Sequence, residues 1–291
     1  MDQNKISRRE ALGAVAAVAA TGIAGLSRAE EPNINTAQSQ PEKIKQSVCQ
    51  WCYGGMSIKD LCSKAKKMGY QSVELLSEND WKTVSDAGLV CAVANGPTSI
   101  GYGWNNPKDH DKFVAGSERL IPLVAAAGIP QMIVFSGNRR GMPDAEGLKN
   151  CADGLKRIMP IAEKHGVTVI MELLNSKVDH KDYMCDHTEW GVELCKQVGS
   201  DRFKLLYDIY HMQIMEGDVI RTIEKHHQYI GHYHTGGNPG RAEIDETQEL
   251  NYRRIVQAIV DTGFKGYLGQ EFIPRKDAMT SLEAAYKLCR I

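Results

Sequence analysis

From residue 47 to the C-terminus, short apolar runs alternate with longer amphipathic stretches. Eight runs, at 47–51, 72–75, 90–94, 131–135, 168–172, 203–208, 229–234 and 266–271, are brief and mostly bounded by Gly or polar residues. That pattern predicts buried strands. Helices are predicted between them. Ser57-x-x-Asp60 caps one over 58–68 that stops at Gly69. Others fall at 107–127 and 144–165, ending at Gly128 and Gly166, with Pro122 and Pro160 expected to bend or break them. Three more occupy 188–198, 251–262 and 278–288. Eight strand–helix units in about 245 residues fit a single α/β domain, a (β/α)8 TIM barrel. A doubly wound open sheet is the alternative, but no GxGxxG follows the first run.

Polar residues interrupt this pattern at equivalent places. Glu172, Asp208, His234 and Glu271 each end an apolar run, in four successive units. In a parallel barrel those ends converge on one mouth. Three carboxylates and an imidazole aimed at one spot repel or stay unpaired without a cation, so these four are predicted to hold a divalent metal. The oxygen-rich set favours Mn²⁺ or Mg²⁺, while the imidazole keeps Zn²⁺, Co²⁺ or Fe²⁺ open. Such a metal acidifies the C–H between a carbonyl and a hydroxyl. Glu172 and Glu271 then become the candidate acid and base, and the chemistry is isomerisation or epimerisation through an enediol. Glu74 ends the second run and is a candidate substrate contact. Tyr102 and Trp104, in the long segment before the fourth strand, are candidate pocket walls, and Arg139-Arg140 is a candidate anion contact. Gly269 beside Glu271 is read as leaving room for a ligand.

Composition removes several classes. The chain has 291 residues, 42% hydrophobic and 24% charged, with a formal net charge of −1, so no basic nucleic-acid surface is implied. Ser7-Arg8-Arg9-Glu10-Ala11-Leu12 is a twin-arginine pattern, followed by an uncharged run from Ala11 to Ser27 and a small-x-small site at Ser27-Arg28-Ala29. Residues 1–29 are therefore expected to be a signal peptide read by the twin-arginine (Tat) export machinery, giving a periplasmic or otherwise exported protein. The run is too short and too Ala-rich for a stable membrane span. Its removal takes four basic and two acidic residues from 35 and 36, leaving 31 against 34 and a net charge of −3. Residues 30–46 are polar and read as a flexible leader, with the barrel over 47–291. The eight cysteines are scattered. Cys49-Gln-Trp-Cys52 is a CxxC within a predicted strand, so its thiols face opposite sides and are read as buried and structural.

With these residues in place, a resemblance emerges. Glu172-x-x-Asn175, Asp208-x-x-His211, His234, Asn238-Pro239-Gly240-Arg241-x-Glu243, Glu249-x-Asn251-Tyr252 and Gly269-Gln270-Glu271-Phe272 resemble the xylose-isomerase-like barrel superfamily, and within it the hydroxypyruvate isomerases. The resemblance covers about residues 47–291. It implies Glu172, Asp208, His234 and Glu271 as ligands, Glu172 and Glu271 as the acid/base pair, and His211 and Arg241 as contacts to substrate oxygens. It implies a small hydroxycarbonyl or sugar substrate, and hydroxypyruvate in particular. Barrels of this kind often pair through helices, so a homo-oligomer is one state it allows. Ketose 3-epimerases, keto-sugar dehydratases and abasic-site nucleases share the barrel. An exported sugar-binding protein without chemistry is the non-enzymatic alternative.

Overall fold

A computed structural model describes residues 43–291. The signal peptide and all but the last four residues of the expected leader lie outside the described residues. The chain runs β1 (Lys45–Cys49), α1 (Ile58–Met68), β2 (Ser72–Glu74), α2 (Glu78–Asp86), β3 (Val93–Asn95), α3 (His110–Ala126) and β4 (Gln131–Val134). It continues through α4 (Asp144–Lys156), α5 (Met159–His165), β5 (Thr168–Leu173), α6 (Thr188–Val198), β6 (Phe203–Asp208), α7 (Ile209–Met215) and α8 (Val219–His226). β7 (Ile230–Thr235), α9 (Tyr252–Asp261), β8 (Tyr267–Gln270) and α10 (Ala278–Cys289) complete it.

The eight strands form one parallel sheet in the order β2-β1-β8-β7-β6-β5-β4-β3. Its two edges meet. The Leu75 N–H donates to the Val93 carbonyl at 2.9 Å, and the Asn95 N–H to Leu76 at 3.0 Å. The sheet is thus a nearly closed barrel with helices outside, a TIM barrel as the repeat predicted.

Several boundaries differ from the sequence reading. β1 starts at Lys45, inside the expected leader, because Ile44 enters the core and Gln46 is wholly buried, its amide donating to the Tyr286 carbonyl. Pro160 does break the long predicted helix, separating α4 from α5 and taking a first-turn position in α5. Pro122 lies within α3 without ending it. The CxxC is not one strand: Gln50–Tyr53 turns into a 3-10 helix straight after Cys49.

Alternation along the strands creates two apolar regions. Met171, Leu205 and Tyr207 join the large core between strands and helices. Ala92, Val93, Ile133, Ile170 and Leu206 form a separate cluster. Residues two apart on a strand share a face, so Glu172 continues the face of Ile170, and Asp208 that of Leu206. The apolar cluster is therefore the floor on which the polar site stands. Ile170→Ala is expected to lower unfolding free energy by about 2–5 kcal/mol. Urea denaturation checks this, and a loss under about 1 kcal/mol would mean that the floor is not tightly packed.

Candidate active site

Each predicted metal residue reaches the mouth from its own strand. Glu172 is near the end of β5, Asp208 is the last residue of β6, His234 is near the end of β7, and Glu271 directly follows β8. All four are buried. One ligand atom from each lies within 4.8 Å of all the others. Cis and trans ligands of an ion with bonds of about 2.1 Å fall within that spread.

Hydrogen bonding shows which atoms are left for a cation. His234 Nδ1 is 2.9 Å from Glu271 Oε2 and 3.5 Å from Glu172 Oε1. It makes no aligned hydrogen bond to either, and Glu172 Oε1 likewise has no partner. Buried polar atoms are rarely left so. An oxygen and a nitrogen without hydrogen-bond partners, side by side among carboxylates, fit a divalent ion.

Arg241 supplies the positive charge within the cluster. One guanidinium nitrogen lies 3.1 Å from Asp208 Oδ2 and also donates to Glu271 Oε2. The guanidinium stacks over Trp51 at 5.2 Å and Tyr210 at 5.4 Å. Its residue sits in the left-handed backbone region, φ 54°, which costs an L-residue about 1–2 kcal/mol. One guanidinium cannot balance three carboxylates, and their pKa values separate accordingly. Burial pushes Asp208 well above the usual carboxylate range, against the pull of Arg241. Burial and the neighbouring Glu271 charge raise Glu172. Burial opposes ionisation of Glu271 too, but Arg241 and His234 outweigh it and hold its carboxyl well below the usual range. Trp51 Nε1 donates to Glu271 Oε1 at 2.7 Å.

His211 projects from α7 with a defined tautomer. Asn175 Oδ1 accepts from the backbone N–H groups of Val178 and Asp179, at 3.0 and 2.9 Å. The Asn175 amide nitrogen must then face His211 Nδ1, 2.6 Å away, and donate to it. The proton of His211 therefore resides on Nε2, 3.6 Å from Asp208 Oδ2 and without a hydrogen-bond partner. Burial and Arg241 hold this imidazole well below its ordinary pKa, so it is a neutral donor.

Other expectations are placed elsewhere. Trp104 is fully buried in the helical layer, its ring 5.8 Å from His110 and 5.5 Å from Phe113, so it forms no pocket wall. Glu74 stands behind His234, its Oε1 accepting from Nε2 of His232 and His234 at 2.9 and 2.8 Å. It touches the imidazole rather than the open side of the site. Gly269 makes room for that pair: a Cβ there would lie 2.5 Å from Glu74 Oε1 and 2.7 Å from His234 Cδ2. Arg139 is occupied by Asp144 and Asp186, and Arg140 stacks on exposed Tyr102 at 4.6 Å.

Cys49 does not stay in an inert core. Its thiol lies 3.5 Å from Glu74 Oε1 and 3.7 Å from His234 Nε2. Sequence reasoning also passed over Trp51 and Tyr210. Trp51 follows β1 at the same strand-end level as the four converging residues, which is the signal that could have found it.

A barrel with this strand-end constellation defines a class, and the chain belongs to the xylose isomerase-like TIM barrel family, whose model matches residues 62–288. The hydroxypyruvate isomerase of Escherichia coli K12 is 35% identical over 170 residues, 58% of this chain and 65% of that protein. A putative hydroxypyruvate isomerase of Homo sapiens is 25% identical over 212 residues, 69% of this chain and 76% of that protein. Two solved structures share the fold. An AP endonuclease, family 2, from Brucella melitensis has a TM-score of 0.75 at 22% identity, covering 82% of this chain and 97% of that one. D-psicose 3-epimerase from Clostridium cellulolyticum H10, solved with D-tagatose, has a TM-score of 0.68 at 17% identity, covering 84% and 96%.

Proposed function

We propose that the protein is a metal-dependent isomerase acting on a small hydroxycarbonyl compound through an enediol, with hydroxypyruvate and 2-hydroxy-3-oxopropanoate (tartronate semialdehyde) as its substrate pair. The observation that carries this reading is the buried convergence of Glu172, Asp208, His234 and Glu271, with ligand atoms within 4.8 Å of one another. The isomerase names of the curated relatives support it.

These four residues would hold Mn²⁺ or Mg²⁺. When bound, such an ion polarises the substrate carbonyl and the adjacent hydroxyl and acidifies the C–H between them. Glu271, held ionised by Arg241, His234 and Trp51, is placed to take the proton from the hydroxymethyl carbon. Glu172 is placed to give one back to the former carbonyl carbon, from the carboxyl oxygen that would not hold the ion. The hydroxyl proton passes between the two substrate oxygens, so no oxidant is needed, and the two carboxyls return to their starting protonation by exchange with solvent. His211 Nε2–H offers a neutral donor to a substrate oxygen. Arg241, with two-pronged geometry and the Trp51 and Tyr210 rings against it, suits a substrate carboxylate or the enediolate. The twin-arginine reading of residues 1–29 would place this chemistry outside the cytoplasm.

The test is NMR in D₂O. Metal-stripped protein and protein restored with Mn²⁺ or Mg²⁺ are incubated with hydroxypyruvate and a panel of ketoses. Metal-dependent deuterium uptake beside the hydroxypyruvate carbonyl, with formation of tartronate semialdehyde, is the expected result. Exchange only with ketoses would move the assignment to a 3-epimerase. Binding without exchange for any compound would favour a non-catalytic binding protein.

A further inference from the structure

Behind the metal-ligand cluster lies a second polar layer with no part in the proton transfers above. Glu74, His232, His234 and Cys49 are all fully buried, inside the barrel. Cys49 and Glu74 are register partners on β1 and β2. His232 and His234 stand two apart on β7 and therefore share a face, their rings edge to face at 5.1 Å and 88°. A single oxygen, Glu74 Oε1, receives Nε2 of His232 at 2.9 Å and Nε2 of His234 at 2.8 Å, with the Cys49 thiol at 3.5 Å. Arg241, the cation of the neighbouring cluster, pairs with Asp208 and Glu271 rather than with Glu74.

A buried carboxylate is tolerated only when donors surround it. For Glu74 those donors are the two imidazole N–H groups and the thiol, so both histidines must present a proton at Nε2. For His234 this settles the other nitrogen. An imidazole that ligates a cation is neutral and carries one proton, so with Nε2–H committed to Glu74 it is Nδ1 whose lone pair is left for the ion. Nδ1 is the atom that faces Glu271 and Glu172, without an aligned hydrogen bond. The packing is built for this pair, because only glycine at 269 leaves space beside Glu74 Oε1 and the His234 ring.

We infer that Glu74 is a positioning residue: through its hydrogen bond to Nε2 it locks His234 in the tautomer and orientation that aim a bare Nδ1 at the cation site, and His232 and Cys49 hold Glu74 in place. Carboxylates behind a ligating histidine commonly act this way. The inference rests on the metal reading under Proposed function, and it moves Glu74 from substrate recognition to metal affinity.

The experiment is Mn²⁺ binding to metal-stripped full-length protein, measured by calorimetry and by the EPR signal of free Mn²⁺, with circular dichroism to show that each variant is folded. Glu74→Ala is expected to weaken Mn²⁺ binding by about 10–100-fold. Glu74→Gln keeps an acceptor oxygen in place and is expected to recover most of that loss. Glu74→Asp keeps the charge but withdraws the oxygen by one methylene, and is expected to resemble Glu74→Ala. Should Glu74→Ala fail to fold, the order of Gln and Asp decides. Tighter binding by Gln than by Asp supports positioning through the hydrogen bond, and the reverse order overturns it. Folded Ala or Asp variants that bind Mn²⁺ like the native protein also overturn it, and leave the metal site standing. A native protein that binds no Mn²⁺ removes the metal reading itself, and this inference with it.

Discussion

Glu271→Gln and Glu172→Gln are each expected to lower turnover of the proposed substrate by about 10³-fold, within the range that a positioned acid or base contributes. Each change keeps the shape of the side chain and removes its capacity to exchange a proton. The loss at Glu271 is expected to be the larger. Its carboxylate is held by Arg241, His234 and the Trp51 indole, so its replacement also takes from a buried guanidinium one of its two carboxylate partners. Because both residues are candidate ligands, metal content must be measured alongside rate. A variant that retains its metal and its melting temperature but not its turnover identifies proton transfer as the lost function. The floor beneath the site is apolar and independent of these carboxylates, so the fold is expected to survive. Near-native rates in both variants would sink the assignment of acid and base.

Stripping the metal with a chelator is expected to abolish activity and to lower the melting temperature by about 5–10 °C relative to protein at 100-fold excess of Mn²⁺ over its dissociation constant. Such saturation is worth about 2.7 kcal/mol, and a domain of this size shifts by about 2–4 °C per kcal/mol. The gap should widen with pH. A carboxyl whose pKa rises on folding stabilises the fold below its unfolded value of about 4, and that contribution disappears as pH climbs through the folded value. Asp208 and Glu172 are of this kind, so metal-free protein gives up stability from about pH 4 upward. Glu271 and Glu74 are depressed and act in the opposite sense: their contribution is present above the unfolded pKa and fades as acid protonates them. Metal binding needs ionised ligands and competes with the protons on Asp208 and Glu172. Thermal melts at pH 5 and pH 8, with and without Mn²⁺, measure the effect. A gap that is equal at both values, or larger at pH 5, would show that those two carboxyls are not the groups the metal displaces protons from.

The four converging residues were legible in the chain because strand periodicity is local. A polar residue ending a buried apolar run must turn toward the mouth or end the strand, and Glu172, Asp208, His234 and Glu271 do so in successive units. The helices α2 and α7 escaped prediction. α7 begins at the residue directly after Asp208, which is both the end of β6 and the cap that accepts the His211 N–H at 3.1 Å, so no loop announces it. Trp104 shows the reverse error. An aromatic in a long loop looks like a pocket wall, but the loop folds down and delivers its ring to α3.

Alternating apolar runs and helical stretches determined the parallel barrel, and strand-end chemistry determined which four residues meet at its mouth, since both follow from short-range periodicity and burial. Only the tertiary structure decided what stands behind and beside them. Glu74 backs His234 instead of facing substrate, Cys49 touches that pair, Arg241 bridges Asp208 and Glu271, and Gly269 clears space for a buried hydrogen bond rather than for a ligand. These contacts join β2 to β7 and the loop after β7 to β6 and the end of β8. Closing the barrel sets such distances, and no pattern along a single strand records them.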